Sequence, residues 1–137
     1  MVHRSFIVWG VSAAVLLLVF SIFVLAGWPG QPDRCVTDTP DTCYCEAFVA
    51  ADIGQLGVRQ KLNTWFNLYA IFSSGLVALV VFLDRRRGTD SRNLMRADTA
   101  VADLYVFVVL FLGLGSMWFH ASLMTWGGNM DGASMYA

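Results

Sequence analysis

Three long apolar runs constrain the fold of this chain more than any other feature of its sequence. They cover residues 5–28, 65–83 and 100–124, and each has the roughly 20 residues that an α-helix needs to cross a bilayer. None of the runs alternates polar and apolar residues as a membrane barrel strand does. Because a helix satisfies its own backbone hydrogen bonds in lipid, the sequence predicts an all-α fold, a polytopic bundle with three membrane helices and the start of a fourth.

Composition excludes two other classes of protein. Hydrophobic residues make up 57% of the 137 residues, which is too much for an ordinary soluble domain of this length. The formal net charge is −1, whereas a nucleic-acid-binding surface needs a clear basic excess. The membrane is therefore an expected partner, and nucleic acid is not.

Arginines predict the orientation of the helices. The connection over residues 83–100 contains Arg85, Arg86, Arg87, Arg92 and Arg96, and loops rich in arginine and lysine remain in the cytoplasm. His3 and Arg4 precede the first run and place the N-terminus on the same side. We expect a multi-pass integral membrane protein whose residues 29–60 and 124–132 lie on the extracytoplasmic side.

The chain divides into three regions on this basis. Residues 1–28 form an N-terminal membrane helix or signal anchor, residues 29–60 an exported loop, and residues 61–137 the remaining membrane domain. A cleaved signal peptide is the alternative for the first region, since a basic start precedes its apolar run. The run is longer than the usual apolar core of such a peptide, and "LAGWPG" is a poor cleavage site, so an uncleaved helix is favoured.

The exported loop contains all three cysteines, Cys35, Cys43 and Cys45. An oxidising compartment permits a disulfide, and Cys35 can pair with either of the other two, which leaves one thiol over. A zinc site is the weaker alternative, because the paired Cys-x-x-Cys spacing is absent. Carboxylates also crowd this loop, and their oxygens suit a hard cation such as calcium; they are Asp33, Asp38, Asp41, Glu46 and Asp52.

Polar residues with possible chemistry collect at the end of the third apolar run. Ser116 and His120 are four residues apart, so they project from one face of a helix. We expect the connection "MTWGGNM" to turn at Gly127 and Gly128 and to bring Asp131 back toward the histidine. A neutral imidazole is a good zinc ligand, and a carboxylate can deprotonate a water. The alternative is a hydrogen-bonded histidine at headgroup depth beside glycines that permit close helix packing.

Three sequence blocks resemble the alkaline ceramidase family. "GLGSMWFHASL" followed by Asp131 is similar to the family's Gly-x-Gly-Ser-x-x-Phe-His stretch, "YCEAF" to its Cys-Glu element, and "VRQKLNTWFNLYAIF" to the start of its first core helix. The blocks occur in the family's order between Cys43 and Met135. The resemblance implies a fold of seven membrane helices, shared with the adiponectin receptors, of which this chain is an N-terminal part. Residues 1–28 fall outside it.

The resemblance also implies a zinc-dependent amidase. His120 corresponds to the first of three histidine ligands, Asp131 to the candidate general base, and Ser116 to the serine that stabilises the oxyanion or the metal environment. The implied substrate is a ceramide-like N-acyl lipid, cleaved to a long-chain base and a fatty acid. Amides are poor electrophiles, so both the water and the carbonyl must be activated.

Calcium is a second ion that the resemblance implies. Glu46 corresponds to a family ligand, and Tyr44 can offer a backbone carbonyl. Gln60 stands where the family has a glutamate, which implies weaker binding because fewer ligands are charged. Asp41 is a candidate for compensating this loss.

The chain departs from the family pattern in its histidines. The family's other two zinc ligands form a His-x-x-x-His pair, whereas this sequence has only His3 and His120. A catalytic zinc needs three protein ligands. We therefore expect these 137 residues to be a truncated or split form of the enzyme that is inactive alone. A second chain is a possible source of the missing ligands. The main alternative is a non-catalytic membrane protein, a remnant or a subunit; a receptor-like role is less favoured.

Overall fold

The computed structural model describes residues 4–38, 46, 56–88, 90, 92–94, 96, 97 and 100–137. The helices are α1 (Arg4–Ala26), α2 (Arg34–Asp38), α3 (Lys61–Phe66), α4 (Leu68–Arg86), α5 (Ala100–Ser122) and α6 (Thr125–Tyr136). Over these residues the fold is all-helical, as the sequence predicts, with one isolated bridge between Pro32 and Met124. Whether the complete fold has seven helices stays a prediction.

Three helical segments are long and apolar enough to cross a membrane. They are Arg4–Ala26, Lys61–Arg86 and Ala100–Ser122, which correspond to the three apolar runs of the sequence. The second segment is longer than the apolar run that predicts it, because α3 and α4 follow one another with only Asn67 between them. The Asn67 side chain donates to the carbonyl of Asn63, the acceptor that its own backbone N–H would use in an uninterrupted helix.

The long helices are arranged with α1 and α5 parallel and α4 antiparallel to both. Ser5 meets Asp103 at one end of the bundle, and Phe23 meets Trp118 near the other. α4 runs in the opposite direction, because Arg85 at its end donates to Ser5 at the start of α1, while Ser74 in its middle accepts from the Trp9 indole. Between the helices lies a core of fully or nearly buried side chains: Ala13, Phe20, Ile71, Leu110, Leu114, Met117 and Ala121.

The turn between α5 and α6 differs from the sequence prediction. The prediction that the chain turns at Gly127 and Gly128 is wrong, since both glycines lie inside α6. The reversal occurs at Leu123, whose φ of 53° is unusual for a residue other than glycine. Leu123 is fully buried, and its carbonyl accepts from Asp33 while Thr125 donates to Gln31. These contacts fix a conformation that leucine would otherwise avoid.

Glycines serve instead to bring α6 close to α5. A Cβ atom on Gly127 would lie 3.1 Å from the Cα of Phe119 and 2.9 Å from Ser122 Oγ. A Cβ on Gly115 would lie 3.1 Å from the carbonyl oxygen of Met130. Because Gly127 lies beside Phe119 and Met130 beside Gly115, α6 runs back antiparallel along α5. This arrangement carries Asp131 back along α5, to about the level of Gly115.

Aromatic side chains gather at the end of the bundle that contains this turn. The Trp28 indole donates to the carbonyl of Gly57 at 2.7 Å, and the Trp126 indole donates to that of Pro29 at 2.6 Å. Phe23 makes ring contacts with both tryptophans. Tryptophan favours the boundary between lipid and water because its ring is apolar and its N–H is polar, so this end suits a membrane interface.

Candidate functional site

His120 lies in the last turn of α5 and is held by Gln60, the residue immediately before α3. The imidazole Nδ1 and the Gln60 Oε1 are 2.6 Å apart, and the backbone N–H of Gln60 donates to the carbonyl of His120 at 3.0 Å. An amide oxygen only accepts, so Nδ1 carries a proton, and in the neutral ring Nε2 carries the lone pair. Nε2 is therefore the ring nitrogen whose lone pair a metal would take.

Glu46 joins the same cluster from the preceding loop. Its backbone carbonyl accepts from the Gln60 amide nitrogen at 2.9 Å. Its carboxylate oxygens accept from the backbone N–H groups of Leu62 and Asn63, at 2.9 and 2.8 Å. The carboxylate thus satisfies the first turn of α3, where helix N–H groups have no partner within the helix. Glu46, Gln60 and His120 form one hydrogen-bonded chain that ties Glu46 to α5.

Asp131 approaches the histidine from α6. The carboxylates of Asp131 and Glu46 both interact electrostatically with the His120 ring. Asp131 Oδ1 is buried and has no hydrogen-bond partner among the residues that the structure describes. A buried carboxylate oxygen without a partner costs free energy, so a ligand that satisfied it would find a favourable site.

Ser116 lies one turn before His120 on α5 and is half-buried. Its hydroxyl is thus on the face of α5 that also presents the imidazole. The predicted set of Ser116, His120 and Asp131 consequently lies at one end of the bundle, on two antiparallel helices. Their chemical roles stay predictions.

The other predicted site residues are only partly within the described part of the chain. Tyr44 and Asp41, the further calcium candidates, lie outside it, as do Cys43 and Cys45. Cys35, the third disulfide candidate, lies in α2. Both carboxylate oxygens of Glu46 and the amide oxygen of Gln60 already accept hydrogen bonds, so a calcium ion would have to share these oxygens. Calcium binding stays a prediction.

The described residues do not by themselves complete a zinc site. They contain no group of three or more histidine, cysteine, aspartate or glutamate side chains placed to hold a metal ion. A catalytic zinc takes three protein ligands and leaves one position open. His120 is suited to be one such ligand, and the remainder would have to come from outside the described part of the chain.

A second polar cluster, at the opposite end of α5, was not assigned by sequence reasoning. Arg85 Nη1 donates to Ser5 Oγ at 2.9 Å and to Asp103 Oδ1 at 3.0 Å. Arg4 Nε lies 3.3 Å from Asp103 Oδ2. The side chains of Arg85, Asp103 and Ser5 are buried, so this cluster joins α1, α4 and α5 through charges within the bundle. The sequence signal for this cluster is Asp103, because an aspartate inside a membrane-spanning apolar run is rare without a partner.

Comparison with known proteins adds no assignment. No family model, curated protein or solved structure matches this chain.

Proposed function

We propose that this chain supplies part of the active site of a zinc-dependent membrane amidohydrolase. Its substrate class is ceramide or a related N-acyl lipid, cleaved to a long-chain base and a fatty acid. The observation that supports the proposal most is the juxtaposition of His120, whose Nδ1–H is held by Gln60, with a buried carboxylate oxygen of Asp131 that has no hydrogen-bond partner among the described residues. This pairing provides a metal-ligating nitrogen beside a proton acceptor.

The proposal gives distinct roles to three residues around His120, namely Gln60, Asp131 and Ser116. Gln60 fixes the tautomer and orientation of the His120 ring, as partners of metal-binding histidines do. Asp131 accepts the proton of the attacking water and returns it to the leaving amine. The Ser116 hydroxyl donates to the oxygen on which charge develops. A zinc ion, when bound, would lower the pKa of water and polarise the amide carbonyl.

The proposal requires a partner segment. His3 and His120 are the only histidines among these 137 residues, and three protein ligands are needed. We therefore propose that a His-x-x-x-His pair comes from another polypeptide segment, such as a second chain. Two histidines four residues apart lie on one helix face and can bind one metal ion together with His120.

A lipid substrate fits the location of the residues. His120 lies in the last turn of a membrane-spanning helix, beside an end of the bundle rich in tryptophan. A lipid amide lies at the boundary between headgroup and hydrocarbon, so its tails can remain in the bilayer while the amide reaches the site. Water for hydrolysis is available at the same boundary.

The proposal is tested in native membranes, where any partner is present. The chromosomal copy is replaced by His120→Ala, and hydrolysis of an N-acyl sphingosine with a fluorescent acyl chain is followed. We expect at least a 100-fold loss of zinc-dependent hydrolysis, the scale on which an essential catalytic group acts. His3→Ala is the matched control and retains the wild-type rate. Unchanged hydrolysis with His120→Ala would refute the proposal.

A non-catalytic membrane protein is the second candidate. The chain of hydrogen bonds from Glu46 through Gln60 to His120 favours it, because such a chain can serve only to attach the loop to the bundle. In that case His120→Ala lowers stability, while Asp131→Asn changes neither stability nor any lipid turnover. Loss of turnover with Asp131→Asn at unchanged stability supports the hydrolase instead.

A further inference from the structure

An apolar groove follows the side of the bundle on which α1 lies beside α5. One part of it has a volume of about 340 Å³ and is lined by Val11, Ser12, Val15, Leu16, Phe107 and Phe111. Beyond it, a second part of about 440 Å³ includes Val19 and Phe23 of α1 and Trp118 of α5. Val11, Val15, Val19 and Phe23 are spaced four residues apart, so they form one stripe along α1. We call the two parts together the α1–α5 groove.

The groove faces away from the candidate metal site. Trp118, which lines it, and His120 are two residues apart on α5, and residues so spaced point to nearly opposite sides of a helix. Filling the groove therefore need not disturb His120, Gln60 or Asp131. An inference about the groove stands independently of the proposed hydrolase.

One end of the groove is positively charged. Arg4 precedes Val11 by seven residues on α1, so both lie on one helix face. Its side chain is 62% exposed while its Nε pairs with Asp103. Two further arginines, Arg86 and Arg87, are exposed at the same end of the bundle. Arg4 forms the basic rim of the groove and complements a negatively charged group placed just beyond the apolar lining. Arg86 contributes only longer-range positive potential, because it lies over Phe82, which packs on Phe6, and Phe6 points away from Arg4.

The distance from the basic rim into the groove matches one leaflet of a bilayer. Arg4 and Leu16 are twelve residues apart on α1, which corresponds to about 18 Å of helix. The hydrocarbon of one leaflet is about 15 Å thick. An acyl chain whose headgroup lies at Arg4 would therefore end near Leu16, where the first part of the groove ends.

We propose that the α1–α5 groove binds one anionic phospholipid from the leaflet at the Arg4 end. One acyl chain lies against Val11, Val15 and Phe111. The headgroup phosphate accepts hydrogen bonds from the exposed guanidinium of Arg4, with Arg86 and Arg87 adding positive potential. Buried hydrocarbon supplies the affinity, and the arginines supply the preference for negative charge.

The chain-binding step is tested with the full-length protein in nanodiscs of phosphatidylcholine and phosphatidylglycerol. The protein is transferred to a mild detergent, and native mass spectrometry counts the lipids that remain bound. We expect one phosphatidylglycerol per chain. Val11→Trp, and as a second variant Val15→Phe, fill the groove and lower the affinity for this lipid about tenfold, which corresponds to about 1.4 kcal/mol. Ser21→Trp is the control and retains the lipid, since Ser21 is exposed on α1 and lies two residues from both Val19 and Phe23, on the opposite side of the helix.

The headgroup step has its own variants. Arg4→Gln should reduce the preference for phosphatidylglycerol over phosphatidylcholine about fivefold, as expected for one interfacial arginine, and should leave chain binding intact. Arg92→Gln is the control, because Arg92 is an exposed arginine of the loop away from the groove. Equal lipid retention by wild type, Val11→Trp and Val15→Phe would overturn the proposal. So would a dimer that Val11→Trp dissociates, because a second copy of the chain would then occupy the groove.

Discussion

Polar residues mark both ends of α5, and the two ends differ in the charges that face their carboxylates. At one end, Asp103 has Ser5, Arg85 and Arg4 around its carboxylate. At the other, His120 bonds to Gln60 while Asp131 Oδ1 has no hydrogen-bond partner in the described part of the chain. Asp103 Oδ2 also has no hydrogen-bond partner among the described residues, but two arginines offset the carboxylate charge, since Arg4 Nε lies 3.3 Å from Oδ2 and Arg85 Nη1 lies 3.0 Å from Oδ1. This cluster therefore acts as a structural tie. The carboxylate of Asp131 has no arginine or lysine partner among the described residues, so the second cluster leaves capacity for a cation, which is why we propose the chemistry there.

The Asp103 cluster gives a stability prediction. Asp103→Asn leaves the buried Arg85 guanidinium without its counter-charge, so we expect a loss of about 3–5 kcal/mol in the free energy of unfolding, measured by denaturant titration in mixed micelles. Asp84→Asn is the control: Asp84 lies 3.9 Å from the exposed Arg87, and we expect a loss below about 1 kcal/mol. The double variant Arg85→Met/Asp103→Leu should recover most of the stability. A loss as small as that of Asp84→Asn would show that the cluster does not hold the helices.

Gln60 gives a second residue-level prediction. Its side chain is fully buried between His120 and the carbonyl of Glu46. Gln60→Leu removes the hydrogen-bond partner of a part-buried donor and of a part-buried acceptor. Each loss costs about 1–3 kcal/mol, as a thermal or denaturant unfolding experiment would measure. Gln31→Leu, at an exposed side chain, should change stability by less than about 0.5 kcal/mol. Similar stability of the two variants would contradict the bridging role of Gln60.

At the scale of the helices, packing determines where the residues of the candidate site lie. α6 packs back along the last turns of α5 for two reasons. Glycines remove the side chains that would separate the two helices, and Leu123 takes a left-handed conformation at the turn between them. α1 is attached to α4 and α5 at one end through Ser5 and at the middle through the Trp9–Ser74 hydrogen bond. The position of Asp131 therefore depends on the α5–α6 contact.

The α5–α6 contact is tested with two glycines of α6. Gly127→Ala places a Cβ atom 2.9 Å from Ser122 Oγ and 3.1 Å from the Phe119 backbone, so the Ser122 side chain or α6 itself must move. We expect a loss of about 1–3 kcal/mol in unfolding free energy. Gly132→Ala meets nothing within 4 Å and gains up to about 1 kcal/mol from better helix propensity. If both variants changed stability in the same direction and by the same amount, close packing of α6 would be refuted.

At the scale of the whole molecule, three apolar helical segments make this a chain suited to a bilayer. The arginine-rich segment after α4 and the start of α1 lie at one end of the bundle, where Arg85 meets Ser5. The α5–α6 turn and the segment around Pro32 lie at the other, where they are bridged. The positive-inside tendency predicts that the first end is cytoplasmic.

This orientation predicts which positions a membrane-impermeant thiol reagent reaches in intact cells. In a background with the native cysteines replaced by serine, Thr125→Cys should be labelled from outside, because Thr125 is exposed beside the turn. Arg92→Cys should be labelled only after the membrane is opened. The reverse pattern would place the candidate site on the cytoplasmic side and would contradict the orientation.

The sequence predicted features that follow from composition along the chain and missed those that depend on tertiary contact. Runs of apolar residues located the three spanning segments, because length and polarity alone determine whether a helix suits lipid. The break at Asn67 and the reversal at Leu123 escaped prediction, since each depends on a particular hydrogen bond or burial. Gly127 and Gly128 were assigned to a turn because glycine serves both turns and close packing, and only the neighbouring helix distinguishes these uses.

The candidate site shows the same division. Helical periodicity placed Ser116 and His120 on one face, and a reversal of the chain was enough to return Asp131 toward them. The Gln60–His120 hydrogen bond joins residues that are 60 apart in the sequence, so periodicity could not reveal it. The pairing of Arg85 with Asp103 could have been inferred, because a carboxylate in a membrane helix needs a cation at the same depth.

The most direct test of the account is the zinc content of the protein purified from its own membrane together with whatever it binds. We predict about one zinc per chain in the wild type, loss of zinc with His120→Ala, and retained zinc with Asp131→Asn, whose hydrolysis falls at least 100-fold. Absence of zinc from the wild type, or zinc that His120→Ala leaves in place, would contradict the assignment of His120 as a metal ligand.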